Sequence, residues 1–180
     1  MNDRRLVDEF LKSRSERAFA TLYRAKTPRL YQMALRLTAH NQHQAEELIQ
    51  EMWFIAIKKL VNFEWRSELM TWLTGILINL SRRWNEQNVR EKASRESWIA
   101  DLEEDNNEPQ FTNDDLENAM DELSPGYRQV VVLHDIEGYT HKEIAAMLDL
   151  NEGTSKSQLY HARRSLRQYL KKGNDKNTRL

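Results

Sequence analysis

Toward the C-terminus, Lys156, Ser157, Gln158 and His161 share one face of any helix that carries them, with Arg163, Arg164 and Arg167 following. Such a set suits duplex DNA. Gln can pair with adenine N6 and N7, Ser can donate or accept at a base edge, and guanidinium groups hold phosphates. In the N-terminal half, Glu47, Gln50, Glu51, Phe54 and Lys58 form a second row at helical spacing. This row lies off the apolar stripe of its helix, and an exposed aromatic within it needs a reason. No catalytic constellation competes with these two. There is no Cys, no Gly-rich phosphate loop, no nucleophile elbow and no HExxH. His40, His43 and Glu46 have ligand-like spacing but fall at an expected turn and helix start, where solvated side chains are the rule. No metal, cofactor or catalytic residue is expected.

The elements that must hold these residues are helices. Ile144, Ala145 and Leu148 give HKEIAAMLDL an apolar face, capped by Thr140 with Glu143 placed for a capping box. Asn151-Glu152-Gly153 reads as a turn, and Thr154 as the opening of a second, basic helix with Leu159, Ala162, Leu166 and Tyr169 inward. Two helices around a tight turn, with a small residue at Ala145 for close approach, form a helix-turn-helix. Before it, Leu116, Ala119, Met120 and Leu123 mark a helix. Ser124-Pro125 starts another, through the Val130-Val131-Val132 run to a stop at Glu137-Gly138. In the N-terminal half, Leu30, Met33, Ala34 and Leu37 follow Phe19, Leu22 and Tyr23, with Pro28 expected to kink or divide the helix. Ala45, Leu48, Ile49, Met52, Ala56 and Leu60 form one inward stripe. Leu73, Ile76, Leu77, Leu80 and Trp84 form the next.

Composition agrees with this reading. The 180 residues include only 5 Gly and 3 Pro, against a turn-rich β-sandwich. The N-terminus lacks the apolar core of a signal peptide, and no run approaches the ~20 apolar residues of a membrane span. A cytoplasmic protein without membrane insertion is expected. The net charge of -1 conceals a segregation. Residues 1–85 carry 14 basic and 9 acidic groups, residues 86–123 carry 3 and 13, and residues 139–180 carry 9 and 4. Two basic blocks flank an acidic stretch too poor in apolar anchors to fold alone.

The segment LSPGYRQVVVLHDIEGYTHKEIAAMLDLNEGTSKSQLYHARRSLRQYL resembles region 4 of bacterial sigma factors, in particular the extracytoplasmic-function (ECF) group of the sigma-70 family. AEELIQEMWFIAIKKL followed by NFEWRSELMTWLTGILINLSRRW resembles region 2 of the same group. The resemblance implies an all-α chain of two small helical domains joined by a flexible acidic linker. Region 2 would span 1–87, the linker 88–115, the region 4 helix-turn-helix 116–172 and a polar tail 173–180. It implies core RNA polymerase, through its β′ clamp helices and β flap, promoter DNA and an anti-sigma factor as partners. Glu47, Gln50, Glu51 and Phe54 stand at the polymerase-docking positions. Phe63, Trp65, Arg66, Ser67 and Asn79, with Arg82 and Arg83 for the backbone, stand where the family captures and holds the melted −10 strand. Thr154, Lys156, Ser157, Gln158, His161, Arg163 and Arg164 stand where it reads the −35 duplex. The chain departs from the family pattern in lacking a Gly near Trp65 and in having Gly75 where a basic residue is common. Ser155 replaces a usual Val, and Gln158 and His161 replace common Arg residues. A rival reading keeps the helix-turn-helix but makes the N-terminal bundle a ligand- or partner-binding sensor of a transcriptional regulator. A second rival is a helical interaction protein with no nucleic-acid role.

Overall fold

A computed structural model of the chain describes residues 2–92 and 112–177, with side chains described up to residues 87 and 171 of those stretches. The described residues contain helices and no strand. They form two compact units, Met1–Ser81 and Arg82–Leu180.

The first unit contains α1 (Asp3–Ser13), α2 (Glu16–Leu37), α3 (Gln42–Lys59), a 3-10 turn (Leu60–Asn62) and the first half of α4 (Leu69–Lys92). Helix α1 packs on α2 and α2 on α3. The expected α3 stripe from Ala45 to Leu60 is buried. Trp53 joins it, because its indole N–H finds Thr27 Oγ1 at 3.0 Å and so leaves no orphan donor. On α4, Leu73, Leu77 and Leu80 are buried as expected, but Ile76 and Trp84 are only half-buried and Ile78 is sealed instead. Pro28 does not divide the helix: α2 runs unbroken across it. Proline there frees only the Arg24 carbonyl, and both residues are exposed, so water can satisfy it. The true break comes earlier. Arg14 leaves α1 at φ 55°, and the Ser15 hydroxyl accepts from Ala18 N–H at 3.2 Å to cap α2.

The second unit contains α5 (Asn113–Asp121), α6 (Pro125–Val131), a π-turn (Val132–Ile136), α7 (His141–Leu148) and α8 (Glu152–Asn177). Helices α5, α6 and α7 all pack on α8. Val130, Val132, Leu133, Ile144 and Ala162 are sealed in its core. Pro125 takes the first helical position, although the Ser124 hydroxyl makes no capping bond. Gly138, at φ 79°, supplies the left-handed residue that ends this segment. Arg128 is buried and donates to the carbonyls of Met120 (3.0 Å), Asp121 (2.6 Å) and Leu123 (2.9 Å), which closes the end of α5. Leu116 and Tyr169, expected inward, are 45% and 39% exposed.

Helix α4 runs to Lys92, and a Thr112–Asp115 capping box opens α5 at Asn113, so both ends of the expected 88–115 linker are helical. Its acidic centre, with Asp101, Glu103, Glu104 and Asp105, lies outside the described residues. Helix α8 reaches Asn177, inside the expected 173–180 tail.

Candidate functional site

In the first unit, Glu47, Gln50, Glu51 and Phe54 all face solvent from α3, opposite the buried stripe. Phe54 is 60% exposed, and Lys58 Nζ lies 3.7 Å from its ring centroid. The cation on the ring lowers its aqueous cost without covering it. The result is a face carrying carboxylates, an amide and one accessible ring.

The loop after α3 gathers aromatic rings. Phe63 lies 4.8 Å from Trp65 and 4.8 Å from Trp72, centroid to centroid, with all three rings half-buried. Trp72 is not among the residues the sequence singled out. It stands in the first turns of α4 and reads there as one more helical aromatic. Trp65 itself sits at φ 58°. A glycine would adopt that conformation without strain; the tryptophan does so at a cost of about 1–2 kcal/mol. Arg66 pairs with Glu64 at 2.5 Å, and Ser67 is exposed beside it. Asn79 is exposed on α4, its amide donating to the Gly75 carbonyl at 2.8 Å. Arg83 is exposed. Arg82 is half-buried, with Nε 3.8 Å from Glu86. Stacking surface and cations therefore lie along one loop and the helix that follows it.

In the second unit, both bonds of the Thr140–Glu143 capping box form, and Asp149 at φ 56° ends α7. Asn151 Oδ1 then accepts from Thr154 N–H at 2.7 Å, so α8 opens at Glu152, ahead of the expected start at Thr154. Thr154 serves that cap, its hydroxyl 3.0 Å from the same oxygen. Lys156, Ser157 and His161 are exposed, as expected. Gln158 is not fully outward. It is half-buried, with Oε1 shielded and lacking a partner, and an added Cβ on Gly126 would lie 4.0 Å from its Nε2.

Two cations of this surface are held by acids of the same unit. Lys156 Nζ lies 2.7 Å from Glu152. Arg163 grips Asp135 with two bonds, Nε to Oδ2 at 3.0 Å and Nη2 to Oδ1 at 2.5 Å. Arg164 is half-buried. His161 stacks on Tyr127 at 6.3 Å and meets Tyr160 edge-on at 5.4 Å. Behind Arg163, His134 Nδ1 lies 2.7 Å from Asp135, His134 stacks on His141 at 4.6 Å, and His141 Nδ1 meets the buried Ser155 hydroxyl at 3.0 Å. Ser155 thus occupies the position of the family's usual Val because it has a polar partner. Burial alone would raise the Asp135 pKa, but hydrogen bonds from Arg163 and His134 outweigh it and hold the carboxyl below its usual range. Burial, with His134 and Lys156 nearby, pushes His141 below its usual value. Asp135 and the histidines were not anticipated, since they become neighbours of α8 only through the fold.

Two all-helical units, one with an aromatic loop beside a carboxylate-lined face and one a helix-turn-helix, define a DNA-recognition protein of the transcription machinery. The model "Sigma-70 region 2" matches residues 22–91, and "Sigma-70, region 4" matches residues 113–166. The ECF RNA polymerase sigma factor SigE of Mycolicibacterium smegmatis is 35% identical over 160 residues, covering 84% of this chain and 61% of SigE. RNA polymerase sigma factor CarQ of Myxococcus xanthus is 27% identical, covering 85% of this chain and 89% of its own. Among solved structures, the sigma factor RpoE in complex with the anti-sigma factor NepR from Bartonella quintana superposes with a TM-score of 0.66 at 27% identity, covering 85% of this chain and 96% of that one. The chain belongs to the sigma-70 family, in its ECF group, and is a promoter-recognising sigma factor.

Proposed function

We propose that the two units divide promoter recognition between them on the surface of core RNA polymerase. Glu47, Gln50, Glu51 and Phe54 of α3 dock on the β′ clamp helices, and the second unit engages the β flap. The Phe63–Trp65 loop receives an unpaired base of the −10 element. Each base–aromatic stack contributes about 1–3 kcal/mol, which helps offset the unstacking cost. Arg66, Ser67, Asn79, Arg82 and Arg83 hold the adjoining strand. Helix α8 enters the −35 major groove with Lys156, Ser157, Gln158 and His161, while Thr154, Arg163 and Arg164 meet phosphates. The chain performs no chemistry of its own in this scheme. It supplies positions and the polymerase supplies catalysis. An anti-sigma protein is the natural regulator of such a chain; the similar RpoE is in complex with the anti-sigma factor NepR.

The observation that carries the reading is the Trp72–Phe63–Trp65 row in the same unit as an exposed, acid-lined Phe54. A ligand-sensing bundle calls for an apolar pocket. The cleft of about 500 Å³ between α1 and α2 is instead lined by Asn2, Arg5, Glu9, Arg17 and Thr21, with Leu6 and Ala18 as its apolar share. Run-off transcription with purified core polymerase on a promoter library tests the proposal. Start-site selection by the wild-type chain is expected. Glu51→Ala is expected to lower polymerase binding, and Lys156→Ala to lower output with polymerase binding intact. Failure to associate with the polymerase would refute the scheme.

A further inference from the structure

We propose that Arg4 of α1 belongs to the single-strand grip: it covers the Trp65 ring in the unbound protein and passes to a backbone phosphate when an unpaired base takes that ring. This rests on the stacking role proposed for the Phe63–Trp65 loop. The Arg4 guanidinium lies over the Trp65 ring, 5.9 Å from its centroid, and so extends the Trp72–Phe63–Trp65 row by one more planar group. A guanidinium is flat, delocalised and weakly hydrated, and it stacks on an indole much as a nucleobase does. At 5.9 Å from the centroid it stands on the approach a base would take to that ring. Two acids close to it are engaged elsewhere. Asp3, its sequence neighbour, is 2.7 Å from Lys26, and Glu64, beside Trp65, pairs with Arg66. The ring is what holds Arg4.

Trp65 holds a left-handed backbone, which fixes how its ring is presented. Arg4, on the exposed side of α1, is the movable partner. An incoming base displaces it from the ring, and the nearest new partner for the cation is the phosphate joined to that base. The exchange trades a solvent-exposed cation–π contact for charge-assisted hydrogen bonds, so displacement is not a net loss. A strand is then held twice, by its base and by its backbone.

The test uses holoenzyme reconstituted from core polymerase and the full chain, with fork-junction DNA carrying a randomised single-stranded arm. Affinity is measured across a salt series. Arg4→Ala is expected to weaken binding about three- to tenfold at low salt and to flatten the log–log salt slope by about 0.7, the value for one lost phosphate contact on a single strand. Arg4→Lys keeps the slope. Trp65→Ala weakens binding through lost stacking, and once Arg4 has moved to the phosphate it leaves the slope unchanged. Should Trp65→Ala weaken binding while Arg4→Ala changes neither affinity nor slope, Arg4 merely packs on the ring and the inference is wrong. Should Trp65→Ala itself have no effect, the stacking role of the loop fails first, and this inference with it.

Discussion

The two units hold their functional side chains by opposite means. In the first, Phe63, Trp65 and Trp72 fix one another through ring contacts, and backbone strain at Trp65 sets the angle. In the second, Lys156 is held by Glu152 and Arg163 by Asp135, with His134 and His141 stacked behind. Apolar contacts respond little to salt or acidity, whereas ion pairs respond to both. The aromatic row of the first unit is therefore robust to ionic conditions, and the paired cations of the second are tunable by them. Phosphates approaching α8 must share or displace the acids already on its cations, which lowers affinity but also penalises misplaced contacts.

The sharpest way to separate the units is to break one alone. Arg128→Ala leaves three carbonyls at the end of α5, two of them buried, without their donor and is expected to cost roughly 3 kcal/mol. Hydrogen exchange resolved along the full chain should show α5–α8 losing protection while α1–α3 keep theirs. Equal loss in both would show that the units do not fold independently. Next in size are the DNA contacts. Arg163→Ala should weaken promoter binding by about three- to tenfold and reduce its salt slope by about 1, as loss of one duplex phosphate contact requires. Trp65→Ala should weaken open-complex formation without that change in slope, and a common salt response would erase the contrast.

Gly75 offers a gain on the other side. A Cβ there meets nothing within 4 Å, so Gly75→Ala should stabilise the first unit by about 1 kcal/mol through helix propensity. Chemical denaturation of the full chain checks it, and no gain would mean that α4 needs its glycine for another reason. The smallest expected effect is that of pH. The folded pKa of His141 lies below its ordinary value, so the unfolded chain takes up the proton first. Stability of the second unit is thus complete above pH ~6.5 and declines as pH falls below it. The Asp135 carboxyl, whose folded pKa is also lowered, adds a further loss only below about pH 4. Melting from pH 7.5 to 5.0 should weaken the second unit and spare the first, and His141→Gln should remove the upper part of the decline.

Much of this was legible in the residues. The α3 stripe, the Thr140–Glu143 box and the outward row at Glu47, Gln50, Glu51 and Phe54 each follow from spacing along one helix, where local geometry decides. What stayed hidden depends on partners distant in sequence or on choices between equivalent local structures. Asn151 suits a turn or a cap equally well, and only the fold selects the cap. Pro28 looks like a breaker until its freed carbonyl is seen to face water. Arg128 is a residue type normally solvated, and nothing nearby in sequence announces that three carbonyls converge on it. Asp135 reaches Arg163 across 28 positions. Gln158 could be placed on the reading face, yet its packing toward Gly126 could not be foreseen.

The π-turn at Val132–Ile136 carries a consequence for how such a chain tolerates insertions and deletions. A wide turn accommodates an extra residue within an otherwise regular helical path. Removing one residue there would restore the ordinary winding, and the side chains of the turn itself would be re-aimed about the axis while those beyond it keep their register. His134 and Asp135 would then aim away from His141 and Arg163. A length variant in this segment is thus expected to yield a folded module whose groove-facing arginine has lost its anchor, dissociating architecture from recognition at the expense of a single codon.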